Sequence, residues 1–327
     1  MASIAVIGAG LAGLTVAREL SGAHRVTVFE KSRGVGGRMA TRRAGPFQFD
    51  HGAQFITAQT DDFRGFLDQL LTAGALAQWP ARFAELRRDG ISVRRQWGDD
   101  YPHYVGTPGM NAIGKHLATG LDIRLETPVR SLARDDGRWL LSGDAPQPLG
   151  EFDWVIAAAP AAQTADLLAS TPLAAHARGV SMQACFALML GFSEAPDLPW
   201  QAALVRDADI SWISVDSSKP GRPAAHSLVV HSTNPWADAH LDDDADEVRR
   251  HLSQELRDIA NIDVAAATFS DLHRWSYANI DPQDGSACAL NAEWRLAACG
   301  DWFVRGRVEG AFTSAMGLAR RLSRECR

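Results

Sequence analysis

The chain has little lysine: only Lys31, Lys115 and Lys219 among 327 residues. The basic charge is carried by arginines scattered along the chain, which looks more like codon usage than a binding patch. Net charge is −6 with a pI of about 5.9, so nothing favours nucleic acid or another polyanion as a partner. Cysteine is equally scarce. Cys185, Cys288, Cys299 and Cys326 show no CxxC or other metal-ligand spacing, which excludes a zinc-finger type of site and a disulfide framework. They are expected as small buried or surface residues, in a reducing cytoplasm. No segment reaches the roughly 20 apolar residues that span a bilayer. The N-terminal apolar run lacks a basic leader and is broken by glycine, so it is not expected to act as a signal peptide or a membrane segment. No Gly-x-Ser-x-Gly elbow is present, so Ser-His-Asp hydrolysis has no support. What remains is an ordinary globular composition, 46% hydrophobic and 22% charged, with room for two domains or one elaborate α/β domain.

The most informative stretch is Ile4 to Arg38. Ile4-Ala5-Val6-Ile7 reads as a buried parallel strand. Gly8-Ala9-Gly10-Leu11-Ala12-Gly13 follows at once and opens a helix through Leu20. Val26–Phe29 is a second strand, ending in Glu30. This is the dinucleotide-binding βαβ order. Gly8 permits the tight turn, Gly10 admits a pyrophosphate, and Gly13 allows close helix–strand packing. The N–H groups opening the helix, from Leu11 and Ala12 onward, would carry the phosphate charge, and Glu30 would accept from an adenosine ribose. The basic, glycine-rich Lys31–Arg38 loop suits a larger dinucleotide whose pyrophosphate runs past it, with Arg38 donating charge-assisted hydrogen bonds.

Phe47 to Thr57 reads as a strand with a break at Gly52-Ala53, flat enough to lie against a ligand ring. An amphipathic helix is expected over Asp61–Ala73, capped by Asp61 or Asp62. Short strands follow between Leu76 and Tyr104, then a helix through Ile113 and Leu117 and a strand at Leu121–Glu126. A hairpin with Asp135-Asp136-Gly137 as its turn joins Val129–Ala133 to Arg138–Ser142. Phe152–Pro160 is a buried strand and Gln163–Leu168 starts a helix. The middle changes to antiparallel character: Gln183–Phe192, Ala202–Val205, Ile210–Val215 and Ser227–Ser232. The acidic run Asp242–Asp246 caps a helix to about Ala260 rather than holding a metal. Phe269–Tyr277 and Cys288–Leu290 are expected as a further strand pair. At the end Leu296–Cys299, Gly300-Asp301 and a helix from Val308 to Leu322 repeat the strand, break and helix of the beginning.

These motifs together resemble the flavin amine oxidase superfamily. Gly8-x-Gly10-x-x-Gly13 with Glu30 and Gly36-Gly37-Arg38 looks like its FAD fingerprint. Gly300-Asp301 with Gly306-Arg307-Val308-Glu309-Gly310 is similar to its second FAD motif. Within that superfamily Lys31–Met39, Asp50–Thr57, Val105–Ala112, His273–Ala278 and Cys299–Ala311 are similar to bacterial members of the renalase family. The resemblance implies an α/β fold: a Rossmann-type, glutathione-reductase-like FAD-binding domain with an inserted, mainly antiparallel β-sheet substrate domain. The expected bounds are 1–57, 105–175 and 285–327 for the first, and 58–104 and 176–284 for the second. FAD is implied as a non-covalent cofactor. Neither His51, a turn histidine supported by nothing else, nor Cys299, a small residue at a strand end, is taken as an attachment point.

The resemblance also implies roles. Glu30 and Lys31 would lie at the adenosine end, Gly37 and Arg38 along the pyrophosphate, and Val129 beside adenine. Asp301 would reach the pyrophosphate–ribityl portion, Ala53 and Gln54 would pass the isoalloxazine, and Gly300, Val308 and Glu309 would complete the far end. A helix N-terminus at Val308 would stabilise negative charge on reduced flavin. Renalase-like enzymes oxidise 2- or 6-dihydro-NAD(P), with hydride passing to flavin N5 and dioxygen giving hydrogen peroxide. A dihydropyridine needs orientation more than a base. Many flavin amine oxidases place a lysine near N5 through water, and none of the three lysines reads as well placed for that. Lys31 belongs to the fingerprint, Lys115 to a helix, and Lys219-Pro220-Gly221 reads as an exposed turn. Phe55, Thr57, Tyr104, Trp275 and Tyr277 are the substrate candidates; Trp275 and Tyr277, two apart on a strand, would share a face and wall a flat ring. On pattern alone Trp275 and Tyr277 fit core aromatics of the sheet equally well, and Thr57 and Tyr104 read more as structural residues than as substrate contacts. An amine or other C–N/C–C oxidoreductase on the same scaffold is the alternative, and a non-catalytic nucleotide binder is the reading from another class. The expected partners are a small dihydronicotinamide and dioxygen, with no metal, nucleic acid or membrane.

Overall fold

A computed structural model describes residues 1–325; of the expectations above, the one on Cys326 lies outside the described residues. The chain forms two compact units. The first comprises 1–38, 114–182 and 280–327, and the second 39–113 and 183–279. Residues 39–57 and 105–113, expected with the nucleotide domain, therefore belong to the second unit. The reason is packing: Phe47 and Phe49 join Met189 and Val229 of the second unit's sheet in one apolar cluster.

The first unit is built on a six-stranded sheet in the order Ala289–Asn291, Leu296–Ala298, Trp154–Ala157, Ser3–Ile7, Arg25–Phe29, Asp122–Arg124. All pairs are parallel except the outermost Ala289–Asn291 edge. Ser3–Ile7 is buried on both faces, which is why it reads as an unbroken apolar run. Ala289–Asn291 pairs with Leu296–Ala298 and not with Ala267–Asn279, so the expected strand pair is split between two sheets. The short chain between 291 and 296 favours a local antiparallel turn over a distant partner. The hairpin forms as Ser131–Asp135 and Arg138–Ser142, with Asp136 and Gly137 both at positive φ, as a two-residue hairpin turn requires.

The second unit carries a seven-stranded sheet ordered Ala267–Asn279, Gln183–Phe192, His226–Ser232, Ile210–Val215, Ala202–Val205, Arg82–Arg87, Gly90–Gln96. Its only parallel pair is Ala202–Val205 with Arg82–Arg87. One face packs against the helix Ala245–Ala260 through Val248, Leu252 and Leu256. Asp244 caps that helix by accepting from the N–H groups of Asp246 and Glu247, as the acidic run predicts. The helix at Asp61–Thr72 is capped instead by Thr60, whose side chain accepts from the N–H of Phe63; Asp61 and Asp62 fall inside its first turn, where they face the helix dipole favourably. Phe47–Thr57 is a strand only over Phe47–Phe49; beyond it, side chains hold the backbone as far as the isolated bridge of Ile56 to Tyr104. Among the described residues no helix is long and apolar enough to cross a membrane.

Candidate functional site

In the first unit the glycine turn is shaped by close approach. Gly8 sits at φ +109°, where side chains other than glycine are strained. A Cβ on Gly13 would stand 1.9 Å from the Gly8 carbonyl oxygen. A Cβ on Gly10 would meet nothing within 4 Å, so the space in front of the turn is open. The helix Leu11–Ser21 starts there without a side-chain cap, leaving its first N–H groups for a ligand. The second glycine loop lies alongside: Gly36 N–H donates to Ala9 O at 2.8 Å, and Gly10 and Gly36 form a parallel bridge. Glu30, 8% exposed, accepts from the N–H of Ala9 and of Ser32, each at 2.8 Å. Its carboxylate thus pins both loops. Arg38 makes a two-pronged pair with Asp301, Nη1–Oδ2 2.8 Å and Nη2–Oδ1 2.6 Å, joining the two predicted motifs across 263 residues. Gly300 N–H donates to Ser314 Oγ at 2.9 Å, which ties the Gly300-Asp301 break to the Val308–Glu325 helix. Lys31 Nζ reaches Gln163 Oε1 at 3.1 Å and Val129 packs on the apolar cluster of this unit. Val308 and Glu309 open their helix as expected.

In the second unit the sheet face away from Ala245–Ala260 presents a row of paired residues: His273, Ala187, His231 and Trp212. The segment after Phe49 runs over it. His51 stacks on Trp275 (centroids 5.3 Å) and meets His273 edge-on (4.8 Å). The His51 carbonyl oxygen accepts from Trp275 Nε1 at 2.9 Å and His231 Nε2 at 3.1 Å, so neutral His231 carries its proton on Nε2. Burial, then neighbouring His273 and Arg42, pushes His51 down to about 4. Burial likewise brings His231 and His273 to about 4. All three rings are uncharged at neutral pH.

Beneath this segment lies a cluster of four charges. Asp50, Asp216, Lys219 and Arg222 all have fully buried side chains. Arg222 pairs with Asp50, Lys219 with Asp216, and Lys219 Nζ stands 3.6 Å from Asp50 Oδ2. Asp50 also accepts from Thr41 Oγ1 at 2.7 Å and Met110 N–H at 2.9 Å, and Asp216 accepts from Asp50 N–H at 3.0 Å. Burial works to raise Asp50, but Lys219 and Arg222 beside it win and hold it below the usual range. Asp216 moves the other way: burial and the Asp50 charge lift it against Lys219. The expectation of an exposed Lys219 is therefore wrong. Lys-Pro-Gly is a turn, but one folded inward, with Nζ also 5.4 Å from the Trp79 ring and 3.4 Å from Gln54 Oε1.

Phe55 meets Trp97, His103 and Trp212 with centroids 5.0 to 5.3 Å away. In this aromatic group Trp79 Nε1, His103 Nδ1 and Trp212 Nε1 are buried without a partner. Tyr104 and Ile56 exchange backbone hydrogen bonds at 2.8 Å, which brings the backbone of Tyr104 beside that of Thr57's neighbour. Cys185 pairs with Trp275 but Gln183 pairs with Asn279, so a bulge at 276–278 interrupts the regular alternation on which a shared face of Trp275 and Tyr277 would rest. Asp209, His251 and Glu255 converge closely enough to hold a cation. However, Arg88 donates to both Glu255 oxygens and His251 Nε2 donates to Asp209 Oδ2 at 2.8 Å, so these groups already satisfy one another. Cys185, Cys288 and Cys299 are buried free thiols; burial raises Cys185 to about 12 and Cys299 further, leaving both unreactive.

Two family profiles match the chain: an NAD(P)-binding Rossmann-like domain over residues 6–70 and flavin containing amine oxidoreductase over residues 74–323. A 54-residue stretch is 46% identical to 4,4'-diapophytoene desaturase (4,4'-diaponeurosporene-forming) of Staphylococcus haemolyticus, covering 16% of this chain and 11% of that protein. Among solved structures, one assigned provisionally as a protoporphyrinogen oxidase of Exiguobacterium sp. 255-15 superposes with TM-score 0.79 at 14% identity, covering 99% of both chains. Putrescine oxidase bound to putrescine gives 0.74 at 12% identity and the same coverage. A CLA-producing fatty acid isomerase of P. acnes gives 0.73 at 13%, covering 98% of both. At such identities the likeness speaks for the fold alone.

Proposed function

The chain belongs to the family of flavin-containing amine oxidoreductases, and from that premise we propose an FAD-dependent oxidase of the renalase type. Its reaction converts 2- or 6-dihydro-NAD(P), a proton and dioxygen to NAD(P)+ and hydrogen peroxide. The cofactor is FAD, and the residues of the first unit fit it. The open space before Gly10 and the uncapped helix start suit a pyrophosphate held by Gly8, Gly10, Leu11, Ala12 and Gly13. Glu30 has lone pairs left for ribose hydroxyls, with Lys31 nearby. Gly37, Arg38, Gly300 and Asp301 are assigned to the phosphate and ribityl part, Val129 to adenine, and Val308 with Glu309 to the flavin's far end. Ala53 and Gln54 are assigned to the ring edge. Bound FAD supplies the acceptor for a hydride. Phe55, Thr57, Tyr104, Trp275 and Tyr277 are the proposed substrate contacts, and the compartment proposed is the cytoplasm.

The observation that carries this reading is the trio of buried histidines on the sheet face, His51 stacked on Trp275 and edge-on to His273, with His231 bound to the His51 carbonyl. His51, His231 and His273 titrate at about 4, too low to draw a proton from an ammonium. Lys219 is held between two carboxylates. A dihydropyridine regains aromaticity by losing hydride and needs only to be oriented and desolvated. A second reading, oxidation of an amine or another C–N or C–C bond, gains from the burial of Lys219, since the case against it assumed an exposed lysine. Anaerobic mixing separates the two. Loss of the flavin absorbance within seconds with 2- or 6-dihydro-NAD, and none with putrescine or benzylamine, is expected; bleaching by amines alone would replace the first reading with the second.

A further inference from the structure

The backbone from Asp50 to Phe55 has an unusual division of its polar groups. Every carbonyl from Asp50 to Gly52 is occupied by a side chain. Gln54 Nε2 donates to Asp50 O and, at 3.0 Å, to Gly52 O, while Trp275 and His231 share His51 O. The N–H groups show the reverse. Among the described residues, those of Gly52, Ala53, Gln54 and Phe55 donate to no protein acceptor. Buried backbone donors are paired almost without exception in folded proteins, with protein groups or with water. Gln54 is 8% exposed and Gly52, Ala53 and Phe55 are half-buried, so these four adjacent donors are left for an acceptor from outside the chain, water or a ligand.

What commits the Asp50 and Gly52 carbonyls is the orientation of the Gln54 amide. Its Oε1 accepts from Ser214 Oγ at 2.7 Å and faces Lys219 Nζ at 3.4 Å. An ammonium has donors only, so the amide oxygen must point toward Lys219 and the NH2 toward the Asp50 and Gly52 carbonyls. A flipped amide would set its NH2 against the Lys219 ammonium and lose both carbonyls; as placed, the NH2 lies 3.4 Å from His231 Nε2, whose proton goes to His51 O. Lys219 is in turn fixed by Asp216 and Asp50, and Asp50 by Arg222.

We propose that the buried Asp50–Arg222–Lys219–Asp216 cluster is a positioning device. Through Gln54 it commits the carbonyls of Asp50 and Gly52 and leaves the N–H groups of Gly52 to Phe55 as donors for the acceptor-rich edge of a flat heteroaromatic ring. Lys219 is a positioning residue, not a proton carrier. Two ligands offer such an edge, the flavin ring and the carboxamide of a nicotinamide nucleotide. The inference draws on the proposed function only for these two candidates.

Hydrogen–deuterium exchange on peptides spanning residues 50–57 of the full chain tests it, with the apoprotein, the FAD-loaded protein, and the FAD-loaded protein with NAD+. In the wild type, exchange at these amides should slow by about tenfold or more on adding one of the ligands, and which one identifies the source of the ring. Gln54→Glu keeps acceptors for Ser214 and Lys219 but removes both N–H donors. It should melt cooperatively, yet lose most of the ligand-induced protection and shift the visible flavin band. Lys219→Met should do the same and Lys219→Arg should restore the wild-type pattern. Absence of protection by either ligand in the wild type would overturn the donor strip. Undiminished protection and an unshifted band in Gln54→Glu would overturn the positioning role, whichever donor turns out to reduce the enzyme.

Discussion

The four-charge cluster makes a quantitative demand on a mutant cycle. Its side chains are 0% exposed, and two acids against two bases sum to zero. Lys219→Met removes one positive charge with a chain of similar length and leaves a net negative charge out of reach of water. Breaking a buried pair from one side costs about 3–5 kcal/mol, because the remaining charge is uncompensated. Replacing both partners, Asp216→Asn with Lys219→Met, restores neutrality, and the amide oxygen can still accept from the Asp50 N–H. The double variant should then lose only about 1–2 kcal/mol, the scale of the hydrogen bonds forgone. It should thus be more stable than Lys219→Met alone, by about 2 kcal/mol. Urea unfolding followed by tryptophan fluorescence, which reports on Trp79 and Trp212 in the same unit, gives the midpoints. Acid adds a second signature. Burial and Asp50 already lift Asp216 in the wild type, so in Lys219→Met it is the group to take up the missing proton. With its folded pKa above the unfolded one, the folded variant binds more protons, and its deficit shrinks as pH falls toward the carboxylate range. Strictly additive single-variant losses, or a Lys219→Met deficit that grows on acidification, would refute this account of the cluster.

The histidines impose the opposite pH dependence. His51, His103, His231 and His273 lie at about 4, below the unfolded value near 6.5, so the unfolded chain binds more protons between these limits. Stability should be full above pH 6.5 and fall as pH drops to 4, by about 3 kcal/mol for a group as buried as His51. His51→Phe should flatten that slope in pH-dependent urea midpoints; an unchanged slope would mean the ring is charged when folded. In the first unit, Gly13→Ala would set a methyl 1.9 Å from the Gly8 carbonyl oxygen. The turn must open, and FAD affinity measured by titration of the apoprotein should drop by about a hundredfold or more; wild-type affinity would show that the turn is not the phosphate cradle.

Much of the fold was legible because its signals are local. The glycine turn between Ser3–Ile7 and Leu11–Ser21, the Asp-Gly hairpin, and the central strands at Gln183–Phe192, Ala202–Val205 and Ile210–Val215 all follow from patterns within ten residues. Pairing was legible only where connection length left one choice. Cys288–Leu290 reads as a partner for Phe269–Tyr277 because the two are successive strand candidates in the sequence. The true partner of Ala289–Asn291 is the strand five residues on, and nothing in either run's composition distinguishes the two arrangements. The bulge at 276–278 is not legible in the sequence for a related reason. A bulge is set by the register of the neighbouring strand, here Gln183 and Cys185, not by the bulged residues.

The site divides along the same line. Residues of the first unit were found because a phosphate demands backbone approach, and only glycine permits it, so the demand is written at the position itself. Lys219 was misread because its signal is split between distant segments. Alone, Lys219-Pro220-Gly221 is indistinguishable from a surface turn. Its burial becomes thermodynamically acceptable only when Asp50, 172 residues before Arg222, brings the second negative charge. The stretch Asp216 to Arg222 carries one acid and two bases, an excess positive charge that a buried loop cannot hold. Asp50, flanked by Phe49 and His51, is the surplus acid in an otherwise uncharged run, 47–57. Each segment violates neutrality by one unit, with opposite sign, and only their contact removes both violations. Two short stretches with apolar neighbours and opposite unbalanced charge are therefore a sequence-level signature of a buried pair. In this chain the pair lies under the segment whose backbone donors remain unspent.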